Sequence, residues 1–210
     1  MKKYISKFHY LTQDLPQRSH TEQVQMACEA GAGWIQYRCL SKSDEEMLNE
    51  LHTIASICDD WGTTLMVTNH FHLLPLADIQ GVHMEDMDID LREIREIIGG
   101  NKTLGASANT YEQVVNHIQH TADYVGCGPF GESLTKPNSF AHFGIKGYQD
   151  MVENLKKNKL EIPLIAVGGI ALENVGTLLE TGIYGIAVSG AINISNNPVE
   201  AYKAFHQKVF

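Results

Sequence analysis

The chain has 210 residues, 43% of them hydrophobic and 20% charged, enough apolar material for one globular domain with a full core. Its net charge of −9 excludes a global basic field for nucleic acid or an anionic membrane, so any anionic ligand must be held by a local cluster of the few basic residues. Four cysteines, Cys28, Cys39, Cys58 and Cys127, lie scattered without CxxC or CxxH spacing, which argues against structural zinc and a disulfide framework and reads as buried small hydrophobes in a reducing cytoplasm.

The N-terminal MKKYISKFHYL lacks a long apolar region, and no stretch approaches the roughly 18 apolar residues of a membrane helix. No targeting or spanning segment is predicted. The first strand is predicted over Phe8 to Thr12, followed by a helix from about His20 to Glu29 closed by Gly31 and Gly33. Trp34 to Cys39 forms the second strand. Ser43 then caps a helix with acidic residues in its first turn, which runs to about Trp61 and stops at Gly62. Thr64 to Asn69 is the third strand, with a weak helical turn from about Leu73 to Asp78, and Gly81 to Met84 is the fourth. Ile89 to Ile98 is helical, with Leu91, Ile94, Ile97 and Ile98 on one face. Thr103 to Ala108 and Tyr111 to His120 make the fifth strand and its helix. The sixth strand lies in Ala122 to Lys136 (ADYVGCGPFGESLTK), followed by a long loop to about Gly144 and a helix from Lys146 to Asn158. Pro163 to Gly168, then Leu172 to Glu180, make the seventh pair. Gly185 to Ser189 is the eighth strand, and Pro198 to Val209 the closing helix.

This alternation, without a composition break, predicts one α/β domain over residues 1–210, a single (β/α)8 TIM barrel. A flavodoxin-like open sheet is the alternative, disfavoured because no GxGxxG opens the first unit.

In a barrel, chemistry collects at the C-terminal ends of the strands. Strand two ends in Gln36 and Arg38, with Lys42 following; strand three ends in Asn69, His70 and His72, and strand four in Glu85, Asp86 and Asp88. Strand five ends in Ser107 and Asn109, and strand six in Ser133, Thr135 and Lys136. The last two strands end in Gly168-Gly169 and Ser189-Gly190, where backbone amides and a short helix from about Ala191 to Ile194 predict a phosphate site. Arg38, Lys42 and Lys136 form a second cationic group facing the carboxylates. That pairing predicts a polyphosphate bridged by Mg²⁺, which keeps waters and takes one or two carboxylates, Asp88 before Asp86. Two phosphate sites imply two substrates. His70 and His72, two residues apart beside carboxylates, offer a transition-metal pair as an alternative to hydrogen-bonded scaffold.

The order of QYR at 36 to 38, TN at 68 to 69, GVH at 81 to 83 with Asp88 beyond it, GASANT at 105 to 110, ADYVGCGP with TK at 135 to 136, PLIAVGGI at 163 to 170 and GIAVSGAI at 185 to 192 resembles the thiamine phosphate synthases, within the superfamily that includes the TenI-type thiazole tautomerases. The resemblance implies a transferase that joins hydroxymethylpyrimidine diphosphate to thiazole phosphate with loss of pyrophosphate. It further implies that both substrates are small molecules and that Mg²⁺ is the cofactor, while scattered exposed-looking apolar residues permit a homodimer. It also implies roles: Arg38, Asn69, Ser107 and Lys136 on the pyrophosphate, Asp88 on Mg²⁺ and Gln36 on the pyrimidine. Ser133, Thr135, Gly168, Gly169, Ser189 and Gly190 surround the thiazole phosphate. Two positions depart from the family pattern. Leu40 stands where the family has a lysine, making Lys42 the nearest substitute, and His70 stands where the family has a second metal-binding Asp. His70 and Asp86 are then the candidates to complete the metal site. The alternatives are a thiazole tautomerase, whose relatives use a histidine at the place of Asn109, and a non-catalytic phosphate-binding relative.

Overall fold

Short runs rich in β-branched and aromatic residues form eight strands: β1 (Phe8–Leu11), β2 (Trp34–Tyr37), β3 (Thr64–Thr68), β4 (Gly81–Met84), β5 (Thr103–Ala108), β6 (Tyr124–Cys127), β7 (Leu164–Val167) and β8 (Gly185–Val188). In a computed structural model, which describes residues 3–132 and 140–210, they pair in parallel in chain order. The sheet closes where β8 meets β1 through Phe8↔Ile186, His9↔Ala187 and Tyr10↔Val188. The predicted (β/α)8 barrel is thereby observed, and the open-sheet alternative is excluded.

The helices begin and end where the side chains can satisfy free backbone groups. α1 (His20–Glu29) and α2 (Asp44–Trp61) each open on a capping box, Ser19 with Glu22 and Ser43 with Glu46, and Gly62 at φ 65° terminates α2. α3 (Leu91–Ile98) starts two residues later than predicted because Asp90 caps it, its carboxylate accepting from the Arg92 N–H at 3.0 Å. α4 (Tyr111–Gln119), α5 (Gly144–Lys157), α6 (Val175–Glu180), the short α7 (Gly190–Asn193) and α8 (Pro198–Val209) complete the outer ring. The turn after β3 is a 3₁₀ helix, Phe71–Leu76, with Pro75 inside it, rather than the predicted Leu73 to Asp78. The helix predicted over Leu172 to Glu180 divides into a 3₁₀ turn, Leu172–Asn174, and α6.

Alternation along each strand sorts the core into two layers. Ile35, Val67, Val82, Leu104, Val125 and Ile186 belong to the large apolar layer between sheet and helices. Ile5, Leu11, Trp34, Met66, Tyr124, Ile165 and Ala187 fill the barrel interior. Tyr124 needs room there, and Gly105 on the neighbouring strand supplies it: a Cβ at 105 would collide with the Tyr124 ring. Gly105→Ala is therefore expected to cost about 1–3 kcal/mol through overpacking, read as a lower urea midpoint at unchanged m-value. An unchanged midpoint would show that the ring moves aside freely.

Candidate active site

A cavity of about 340 Å³ opens at the C-terminal end of the barrel. Its floor is aromatic. The His9 ring stacks on Trp34 with centroids 4.4 Å apart, and Tyr124 meets Trp34 edge-on at 5.7 Å. Burial, with the nearby His83 as a second cause, pushes the His9 imidazole down to about 3, so it is neutral at physiological pH while bonded to the Ser6 carbonyl at 2.9 Å. Burial likewise pushes the Tyr124 hydroxyl well above its ordinary value.

Polar groups ring the mouth above this floor. Arg38, beyond β2, grips Glu85, beyond β4, with Nε–Oε1 at 2.8 Å and Nη2–Oε2 at 3.3 Å. Both side chains are largely buried, at 12% and 16% exposure, so the guanidinium is held in one orientation instead of sampling solvent. Among the described residues, Arg38 is the one arginine or lysine lining the cavity. His83 on β4 bridges the Tyr124 hydroxyl and Ser107 Oγ, each at 3.0 Å, which fixes the serine on β5. Gln36 on β2 donates from Nε2 to Thr68 Oγ1 at 2.8 Å. Asn69 adopts the left-handed conformation, φ 63°, and its Oδ1 accepts from the Glu85 N–H at 2.8 Å. It thus ties the ends of β3 and β4 together.

The glycine ends of β7 and β8 also line the cavity. Gly168 and Gly169 have φ of 88° and 69°, and the segment after β6 passes close against them, with the Gly131 N–H donating to the Gly168 carbonyl at 3.0 Å. A Cβ on Gly169 would strike the backbone of Gly131 and Glu132. These glycines are thus required by the chain's own packing, whatever ligand they face. Ser189, at the start of α7, donates to Gln13 Oε1 at 3.1 Å and accepts from Asn193 Nδ2 at 3.2 Å. Asn109 lines the cavity, donates to the Gly128 carbonyl, and keeps a buried Oδ1 with no partner among the described residues.

The structure brings together Gln36, Arg38, Ser107, Asn109, Gly168, Gly169, Ser189 and Gly190 around one cavity. Two predicted contributors are directed elsewhere. Lys42 does not line the cavity, and its Nζ donates to Glu50 of α2 at 2.6 Å. His70 turns away from the acidic residues after β4: Nδ1 bonds the Thr68 carbonyl at 2.8 Å, and Nε2 lies 3.9 Å from Asp44. Its neighbour His72 bonds Asp44 at 2.7 Å, so both histidines face the start of α2. Asp86 and Asp88 are exposed beside the cavity-lining Met87, and Asp86 Oδ1 accepts from the Asp88 N–H at 3.0 Å. Hard carboxylate oxygens open to water fit an ion such as Mg²⁺ that keeps part of its hydration shell. Ser133, Thr135 and Lys136 lie outside the described residues. Sequence reasoning missed His9, Gln13 and His83 as lining residues and read Glu85 only as one of an acidic trio. The signal was present in the alternation, since 9, 36, 38, 83, 85 and 107 share the inward phase of their strands.

A family model described as thiamine monophosphate synthase matches residues 10–192. A thiamine-phosphate synthase of Phocaeicola vulgatus is 34% identical over 197 residues, 94% of this chain and 95% of that protein. One from Flavobacterium johnsoniae is 31% identical over 205 residues, 98% of this chain and 97% of its own. The solved structure of a thiamine phosphate pyrophosphorylase from Pyrococcus furiosus superposes with a TM-score of 0.84 at 26% identity, covering 97% of this chain and 95% of that one. With a matching family model over most of its length and near-full-length relatives above 30% identity, the chain belongs to the thiamine monophosphate synthase family.

Proposed function

We propose that the chain is a transferase of thiamine biosynthesis that condenses hydroxymethylpyrimidine diphosphate with thiazole phosphate, giving thiamine phosphate and pyrophosphate. The observation that carries this reading is the family match over residues 10–192, which among the residues lining the cavity leaves out only His9 and Ile194. In this reading the diphosphate lies against Arg38, with Ser107, Asn69 and Lys136 as further donors. Gln36 contacts the pyrimidine: its amide nitrogen is committed to Thr68, leaving the carbonyl oxygen as acceptor. The thiazole phosphate takes the Gly168-Gly169 and Ser189-Gly190 ends, with Ser133 and Thr135 beside them and Asn109 near the ring.

The bond to the diphosphate breaks before the new one forms, so the chief task is to stabilise a departing anion. Arg38 does this from a preset orientation, because Glu85 already holds its fork. Mg²⁺, held by Asp88 with Asp86 beside it, would offset charge on the leaving pyrophosphate. The aromatic floor of His9 and Tyr124, backed by Trp34, excludes water from the carbon that becomes electron-poor. No side chain has to act as a nucleophile. The tautomerase alternative is not favoured: it moves protons at the thiazole, and the Asn109 amide does not ionise.

Incubating the purified protein with both substrates and Mg²⁺ should yield thiamine phosphate, detected as a fluorescent thiochrome derivative after oxidation. Absence of product while calorimetry shows both substrates bound would overturn the transferase and leave a phosphate-binding relative.

A further inference from the structure

We propose that Asp14, His20 and Cys39 form a zinc site on the rim of the barrel, separate from the carboxylates beside Met87 and with one coordination position open to solvent. Among the described residues they are the one group of three metal-ligating side chains whose ligand atoms all lie within 4.8 Å of one another. They come from three separate segments: the loop after β1, the first turn of α1 and the end of β2. Sequence spacing therefore gave no sign of them.

Asp14 Oδ1 lies 3.1 Å from His20 Nε2 and 3.4 Å from Cys39 Sγ. The edges of a tetrahedral zinc site with ordinary Zn–N, Zn–O and Zn–S bonds are about 3.3–3.6 Å. The two edges through Asp14 Oδ1 already stand within a few tenths of an ångström of that spacing, and all three ligand atoms lie within 4.8 Å of one another. Imidazole nitrogen, thiolate sulfur and carboxylate oxygen suit zinc and do not suit Mg²⁺.

The surroundings supply what such ligands need. His20 Nδ1 is bonded to Thr12 Oγ1 at 2.7 Å, which orients the ring so that Nε2 points at Asp14. Asp14 Oδ2 accepts from the Leu40 N–H at 2.9 Å, and Ser41 Oγ donates to Oδ1 at 2.8 Å. Oδ1 therefore faces three donors, from His20, Cys39 and Ser41, with two lone pairs to offer. A metal ion in place of the His20 and Cys39 protons removes that crowding. His20 and Cys39 are buried, whereas Asp14 opens on a groove of about 350 Å³ lined also by Pro16 and Ser41, through which a water can complete the tetrahedron. The two nearby cations point away, Lys42 to Glu50 at 2.6 Å and Arg18 to the Asn193 carbonyl at 3.4 Å.

Thr12 Oγ1 also accepts from the Arg38 N–H at 3.0 Å. An ion here would thus clamp the strand end that presents Arg38 to the cavity. The zinc site does not depend on the transferase reading, since its ligands lie outside the main cavity.

Cobalt(II) titration of the metal-free full chain tests the proposal, because thiolate ligation gives a near-ultraviolet charge-transfer band and tetrahedral geometry gives intense visible bands. Wild type should saturate at one ion per chain, and Zn²⁺ should displace the cobalt. Cys39→Ser should abolish the charge-transfer band, and Asp14→Asn should weaken binding at least tenfold. Circular dichroism melts confirm that each variant is folded, and Zn²⁺ should raise the Tm of wild type but not of Cys39→Ser. No band in folded wild type overturns the site, as does a band that survives Cys39→Ser, which would assign it to another thiol.

Discussion

Replacing Arg38 with alanine is expected to lower kcat by about 10²–10³, the usual loss when one preorganised donor to a developing anion is removed. Two features of the site put this effect near the upper end. The guanidinium is the one arginine or lysine that lines the cavity among the described residues, and its fork is already held in one orientation. Its removal also takes the bidentate guanidinium contact from Glu85, 16% exposed, and so makes the local field less favourable to the incoming diphosphate. KM for the pyrimidine substrate should therefore rise together with the fall in kcat. Arg38→Lys restores charge but not the two-pronged grip on Glu85, and an intermediate loss of about tenfold is expected. Steady-state kinetics with both substrates varied decide the matter. Arg38→Ala within twofold of wild type would place the diphosphate elsewhere.

That expectation depends on a residue pair only half visible in the sequence. Arg38 stands out as a cation at a strand end, but Glu85 looks like the first of three interchangeable acids. Distinguishing it from Asp86 and Asp88 requires the phase of β4: His83 points inward, so Glu85, two residues on, does so too, while Asp86 is exposed. The same rule explains Lys42. Four residues beyond Arg38, it has left the strand's alternation, and Glu50 of α2 captures it. The barrel itself was readable, because each strand is a short apolar run set between a glycine or polar turn and a capped helix. Helix starts were readable where a serine and a glutamate three residues on form a box, as at Ser43 and Glu46. Asn69 and the glycines of β7 were visible as residue types but not as causes. Their positive φ values answer to a neighbouring strand or loop, and that proximity is a product of closing the barrel.

Acidification should unfold the protein through His9, and the effect should be large. The imidazole lies wholly inside the barrel, 1% exposed and stacked on Trp34, and its pKa is lowered to about 3 against an ordinary 6.5, by burial first and by His83 second. Between those two values the unfolded chain binds a proton at this residue and the native chain does not, so stability rises with pH across the window and falls as pH drops from about 6.5 toward 3. Above 6.5 both states are neutral here, and the residue adds no pH dependence. A single such group gives a slope of up to about 1.4 kcal/mol per pH unit. His117, also lowered chiefly by burial, acts in the same direction. Urea unfolding between pH 6.5 and 4.5 isolates these histidines from most carboxylates, which titrate lower. Wild type should lose on the order of 2–3 kcal/mol over that interval. His9→Gln, which keeps a donor for the Ser6 carbonyl but cannot charge, should start less stable and lose about one proton's worth less slope. Equal slopes in the two proteins would mean that His9 accepts its proton inside the barrel. The cavity floor would then be cationic, a poor lining for a site that forms an electron-poor carbon, and the neutral ring is what the proposed chemistry requires.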